Sequence, residues 1–156
     1  MFHGARVSLT GDGNHSLSSG NNVVPYGNVE FDTDGFWDAA NNRFVIPEGV
    51  VAVQVGCNAT AFGSSNRGIN MYIRASNGTR GNMRMAEGVS ESANVSKVGV
   101  SLHTGVVHVD TDERFEVFGR YLGGAMALHD STNYPNNFWI RVVQNPFGRP
   151  DSPNLP

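Results

Sequence analysis

The chain has 156 residues, 11 basic and 14 acidic side chains, a formal net charge of −3 and one cysteine. No lysine or arginine cluster is available to displace phosphate counterions, so nucleic acid is not an expected partner. Cys57 alone excludes an internal disulfide framework and a multi-thiolate metal site.

No run of eighteen apolar residues occurs, so membrane insertion is not expected, and "MFHGARVSLTG" offers no apolar stretch of a secretion leader. Nineteen glycines and seventeen asparagines against 16% charged residues point to turns and strands rather than helices.

In chain order, a strand is expected near 5–10, then a polar loop at 11–22, then a strand near 23–31. Residues 31–51, "FDTDGFWDAANNRFVIPEGVV", open with Asp32, Asp34 and Asp38 at nearly the spacing of a calcium loop. Such a loop needs glycine at its sixth position and glutamate at its twelfth. Here glycine falls fourth and Arg43 stands twelfth. Carboxylates beside a turn cap backbone amides, so no metal is expected and the stretch leads into a sheet.

Strands follow near 43–47 and 50–60, where Val51, Val53, Val55 and Cys57 alternate with Ala52, Gln54 and Gly56. The alternation makes Cys57 a buried, inert thiol. Ile69, Met71 and Ile73 mark a strand near 68–75, and 76–94 reads as loop with a short strand. Further strands are expected near 95–102, 106–110, 113–122 and 137–144, with a long loop at 123–137. Short strands at turn-punctuated spacing point to an all-β, single-domain β-sandwich or jelly roll over residues 1–144. Residues 145–156, "NPFGRPDSPNLP", hold four of the seven prolines and cannot continue a sheet.

The segment "NNRFVIPEGVVAVQV" resembles the central signature of the C1q globular head, within the tumour-necrosis-factor-like jelly-roll superfamily. That family carries Phe-x-x-Pro-x-Gly-x-Tyr at the entry to a long core strand. Phe44, Pro47 and Gly49 match it, and Val51 replaces the tyrosine. "GARVSLTG" is similar to the family's first strand, and "NNFWIRVVQ" to its last. "VSLHTGVVHVDTDERFEVFGRYLGG" is similar to its turn-and-strand segment, with Asp112-Glu113 where Gly-Asp usually stands.

The resemblance spans residues 5–144 and is nearest the stand-alone kind found in bacteriophage virion and fibre proteins. It implies a homotrimer with the sheet of first, third, sixth and last strands on the three-fold axis. Patterning then sends Phe115, Val117, Ile140 and Val142 to the core and leaves Phe118, Trp139 and Val143 for the trimer interface. Some members of the family bind calcium.

Catalytic constellations are missing. The five histidines make no metal-ligand spacing, no Gly-x-Ser-x-Gly elbow occurs, and "GDGNHS" lacks the Gly-Lys-Ser/Thr ending of a phosphate loop. Asp110, Asp112, Glu113 and Glu116 read as a solvated hairpin rather than a glycosidase pair. No enzyme activity and no cofactor are expected.

Binding chemistry is more plausible. Trp37, Tyr134 and Asn136 lie in or beside loops rich in Asn and Asp, where aromatic faces and carboxamides suit sugar rings. Trp37 can equally cover the core edge. The tail cannot bury enough surface to offset an ordering cost of about 1–2 kcal/mol per residue, so it reads as a strap anchored on a neighbour by Phe147 and Leu155.

The expected function is that of a non-enzymatic phage virion structural protein: a trimeric capsid decoration, spike or fibre head located in the virion. Its expected partners are its own copies, other capsid or tail proteins, and a host cell-surface glycan. The alternative is a glycan- or receptor-binding recognition module at a tail-fibre tip.

Overall fold

The computed structural model describes residues 3–9, 14–63, 67–77, 81–93, 96–129 and 136–143. Its strands in chain order are β1 (Gly4–Leu9), β2 (Asn14–Ser16), β3 (Asn22–Val23), β4 (Tyr26–Asp32), β5 (Trp37–Asp38), β6 (Arg43–Val45) and β7 (Ala52–Gly63). There follow β8 (Arg67–Asn77), β9 (Gly81–Ser92), β10 (Lys97–His103), β11 (Val107–His108), β12 (Arg114–Leu122), β13 (Met126–His129) and β14 (Asn137–Val142). No helix occurs among the described residues.

Two antiparallel sheets face each other. The first runs β2-β13-β7-β14-β1-β4, with β10 and β11 on the free edge of β7. The second runs β5-β6-β12-β8-β9, with β3 on β12. Alternation along the strands sends one set of side chains inward. From the first sheet come Ala5, Val7, Val53, Val55, Cys57, Phe138 and Ile140; from the second come Ile69, Met71, Ile73, Phe115 and Val117. Phe138 sits where the layers meet, with ring centroids 4.3 Å from Phe44 and 5.7 Å from Tyr26. Cys57 is fully buried, and burial pushes its thiol up to about 12.

Most expected strands are present, and the departures have local causes. The strand read over 23–31 is two strands in different sheets. β3 pairs with β12 and β4 pairs with β1, with Val24 and Pro25 between them. Proline has no N–H for a ladder, so the chain changes sheets there.

β9 is far longer than the loop with a short strand expected at 76–94. It pairs with β8 from Arg67↔Ser92 to Asn77↔Gly81 and shifts register after Ile73. Its other edge pairs with no described strand. It is therefore mostly exposed and carries little apolar alternation in sequence. β13 likewise lies in the segment read as loop. β1, β10 and β14 share the first sheet as the resemblance implies, whereas the strand expected third, at 43–47, is β6 of the second sheet. The tail at 145–156, with Phe147 and Leu155, lies outside the described residues, as does Tyr134.

Asn136 corrects an expectation. It is fully buried and cannot meet a ligand as a loop carboxamide would. β13 ends its pairing with β7 at Ala61, and β14 begins at Asn58, so Thr60 has no strand partner on that edge. The Asn136 side chain fills the gap. Its Oδ1 accepts from Thr60 N at 2.8 Å, and its Nδ2 donates to Thr60 O at 3.1 Å and to His129 O at 2.7 Å.

Replacing Asn136 by alanine leaves the Thr60 N–H and C=O and the His129 C=O without this partner, and a part-buried group left unsatisfied costs about 1–3 kcal/mol. Denaturant unfolding of Asn136→Ala should show a loss of about 2–4 kcal/mol. A change below about 0.5 kcal/mol would place the clamp's role elsewhere.

Candidate binding face

The loop that opens with Asp32 is held by its carboxylates. Asp32 Oδ1 accepts from the backbone N–H of Gly35 and Phe36 at 2.9 Å each, and Oδ2 accepts from Trp37 N at 2.8 Å. Asp34 meets His3 Nδ1 at 3.1 Å and accepts from the Thr33 hydroxyl at 2.6 Å. Asp38 accepts from Asn41 Nδ2 at 2.8 Å and Arg43 Nε at 2.9 Å.

Each carboxylate thus has its own protein donors. Among the described residues no three His, Cys, Asp or Glu side chains converge as a metal site would require. The hairpin acids are committed as well. Glu116 pairs with Arg74 Nη2 at 2.6 Å, and buried Glu113 accepts from Asp110 N at 3.1 Å. Asp112 sits in the left-handed region at φ 65°.

Of the two readings open for Trp37, loop aromatic or cover for the core edge, the structure has the second, with Trp37 packed against the core. Its ring stands edge-on to Phe44 at 5.3 Å and to Phe138 at 6.5 Å. Its Nε1 is buried without a hydrogen-bond partner. The physical reason is local: Asp32 ties down Trp37 N, and β5 pairs Trp37 with Phe44.

Phe118 and Trp139, both expected at the trimer interface, lie on the outer faces of opposite sheets. Phe118 belongs to the second sheet and stacks on Tyr72, with centroids 5.1 Å apart and planes 5° from parallel. The Arg74 guanidinium lies 4.2 Å from the Phe118 ring centre and that of Arg84 lies 4.1 Å from Tyr72. Arg74 is held by Glu116 and Arg84 by Glu87, so the stack covers its own aromatic surface. Glu87 also accepts from Asn70 Nδ2 at 2.7 Å. That bond, and next the Arg84 guanidinium, hold its carboxyl below the usual glutamate range.

The outer face of the first sheet is different in kind. Strand register sets two rows of side chains across it. One row runs Asn28, Ser8, Asn137, Asn58 and Ser101 over β4, β1, β14, β7 and β10. Asn28 Nδ2 donates to Ser8 Oγ at 3.0 Å, Asn58 Nδ2 to Asn137 Oδ1 at 3.0 Å, and Ser101 Oγ to Asn58 Oδ1 at 2.6 Å.

The next row runs Phe31, Arg6, Trp139, Gly56 and His103. Gly56 has no side chain, and the benzo half of the Trp139 indole lies where one would be: a Cβ on Gly56 would overlap the ring. Around Trp139 opens a cleft of about 440 Å³, lined by Arg6, Phe31, Asn58, Asn137 and Arg141. Arg6 pairs with Glu30 at 3.0 Å, whereas Arg141 is exposed and has no ion-pair partner among the described residues. Val143 is half-buried at the end of β14, and its N–H donates to Ala52 O at 3.0 Å.

Of the binding and interface residues expected from sequence, only Trp139 belongs to this cleft. Arg6, Phe31, Asn58, Asn137 and Arg141 were missed, although outward alternation beside the in-strand Gly56 is the signal that would have found them.

No family model matches the sequence, and no curated protein matches it. Solved structures do. The Eiger TNF of S. frugiperda superposes with a TM-score of 0.63 at 10% identity, over 99% of this chain and 98% of that one. Murine APRIL superposes with a TM-score of 0.61 at 9% identity, over 92% of this chain and 100% of that one. The chain therefore has a tumour-necrosis-factor-like jelly-roll fold. Identity this low carries the fold across and no activity.

Two outcomes follow. Because protein donors already hold Asp32, Asp34 and Asp38, a chelator should leave the melting temperature unchanged; a fall reversed by calcium would reinstate a metal. The Glu87 tether adds stability above the unfolded glutamate pKa of about 4.3 and loses it as pH falls through the lower folded value. The acid limb of a stability-against-pH curve should therefore be shallower in Glu87→Gln than in the parent, and identical limbs would show that the tether contributes nothing.

Proposed function

We propose that the chain is a non-enzymatic structural protein of a bacteriophage particle, a homotrimeric decoration, spike or fibre head that meets the host surface. Sequence supports the virion setting through the resemblance over residues 5–144 and the "FWI" ending of the last strand. The fold supports a trimer because the resembled family implies one.

One observation carries the reading further. Asp32, Asp34, Asp38, Glu113 and Glu116 are engaged with donors of the chain itself, while one outer sheet face keeps a half-buried tryptophan and an arginine with no ion-pair partner among the described residues. That is a surface for contact rather than for bond-breaking.

The same face favours a second reading, a glycan- or receptor-recognition head. Trp139 can serve as a seam between copies or as a platform in an open cleft, and one protomer cannot use it for both.

At micromolar concentration, light scattering should report about three times 16.8 kDa. A monomer overturns the trimer. Antibody raised against the chain should label purified particles in electron micrographs, and particles that lack the protein overturn the virion assignment. Trp139→Asp separates the readings: a monomeric variant puts the indole in the seam, and a trimeric one leaves it in an open cleft.

A further inference from the structure

We propose that the pocket at the corner of the second sheet, where β8 begins and β12 and β9 end, binds a free apolar α-amino acid, with its ammonium on Glu91 and its carboxylate on Arg67. The pocket is independent of the particle reading above, and it lies on the other sheet from the Trp139 face.

Register builds it. Leu122 of β12, Gly68 of β8 and Glu91 of β9 stand side by side across the sheet. Ile69, the next residue of β8, is fully buried in the core, so this row faces outward. Gly68 supplies a floor without a side chain, and Glu91 leans across it: a Cβ on Gly68 would overlap the Glu91 side chain. Arg67, one residue back, reaches the connection between β12 and β13. Its guanidinium lies against Gly124, where a Cβ would overlap it, and its Nη1 donates to Ala125 O at 2.8 Å. Arg67, Gly68, Glu91 and Leu122 line a pocket of about 340 Å³. That is the small end of the roughly 300–1,000 Å³ of ligand sites.

One guanidinium and one carboxylate thus open on the same pocket. Neither has an ion-pair partner among the described residues. Arg67 is held toward Ala125 O, while Glu91 is laid over Gly68.

The two charges decide the occupant. A simple anion would be repelled by Glu91, and a simple cation by Arg67. A neutral sugar would leave both charges unmatched. A small molecule that carries both signs meets both. In an α-amino acid the ammonium and the carboxylate sit on one carbon, giving three donors for Glu91 and two acceptors for the arginine fork. Leu122 offers the amino acid's side chain an apolar wall. An internal peptide segment has neither backbone charge, so a free amino acid fits better.

The test uses the full chain in its native oligomeric state, with L-leucine as the probe. Calorimetry and ligand-observed NMR compare it with isocaproate, which lacks the ammonium, and isoamylamine, which lacks the carboxylate. Phosphocholine serves as a zwitterion with no N–H to donate. Saturable binding of leucine is expected, with each of the other three weaker by about tenfold or more.

Glu91→Gln should weaken leucine by about tenfold without weakening isocaproate. Its melting temperature should match the parent's, because Glu91 is exposed and has no partner among the described residues. Arg67→Gln should show the mirror pattern, with leucine weakened and isoamylamine not. The proposal is overturned if leucine shows no saturable binding, or if an analogue or phosphocholine binds as well. It is overturned too if Glu91→Gln binds leucine like the parent. The mass of the same samples separates the claims: a trimer that ignores leucine sinks the pocket and leaves the structural reading standing, and a monomer that binds leucine does the reverse.

Discussion

Strand β7 has hydrogen-bonded neighbours on both edges for most of its length, and the position of each outward side chain on its sheet follows from that. β10 and β11 take one edge, while β13 and β14 share the other end to end. Two strands meeting on one edge leave a gap, and the gap falls at Thr60. Asn136 closes it with a side-chain amide that imitates a peptide group, offering Thr60 one acceptor and one donor as a strand would, while its second N–H donates to His129 O. Once β14 is fixed in register, Trp139 must stand beside Gly56 and Asn137 beside Asn58. The cleft is thus a consequence of register, and register is closed by one buried asparagine.

The two sheets treat their outer faces differently. On the second, aromatic rings and arginines are matched within the chain: Arg74 on Phe118, Tyr72 on Phe118 and Arg84 on Tyr72, with Glu116 and Glu87 holding the arginines. The middle of that face has little left to offer a partner. On the first, the polar row satisfies part of its own hydrogen bonding, but the indole is half-exposed and Arg141 has no ion-pair partner among the described residues. Unmatched chemistry concentrated on one face is the physical sign of a contact surface.

Much of the fold was legible because burial on one face imposes a period of two. Val53, Val55, Cys57, Phe115, Val117, Phe138 and Ile140 are inward, as alternation requires. What sequence could not show depended on partners distant in the chain. β9 has a poor pattern because one edge and most of its side chains meet solvent, and pairing to β8 makes it a strand. Asn136 looked like a loop carboxamide because nothing local reveals that Thr60 lacks a strand neighbour. Trp37 read equally as a loop aromatic or as cover for the core edge, and its pairing with Phe44, distant from the polar loop's own sequence signal, decides for the core. Phe118 and Trp139 both read as outward, which alternation establishes for each strand. Alternation does not say which sheet a strand joins.

Gly56 brings these points together. In sequence it is a weak spot in an otherwise apolar strand, costing backbone entropy and offering nothing to pack. In the folded sheet it is the position where a large ring from the neighbouring strand lies close to the backbone. A residue with any side chain would lift the indole away and fill the space now bounded by Arg6, Asn58 and Arg141. Core packing does not require glycine there, because position 56 points out of the sandwich while Val55 and Cys57 point in. The glycine therefore serves the outer face, and it makes the Trp139 cleft a feature of this strand's own sequence rather than of the jelly-roll fold in general.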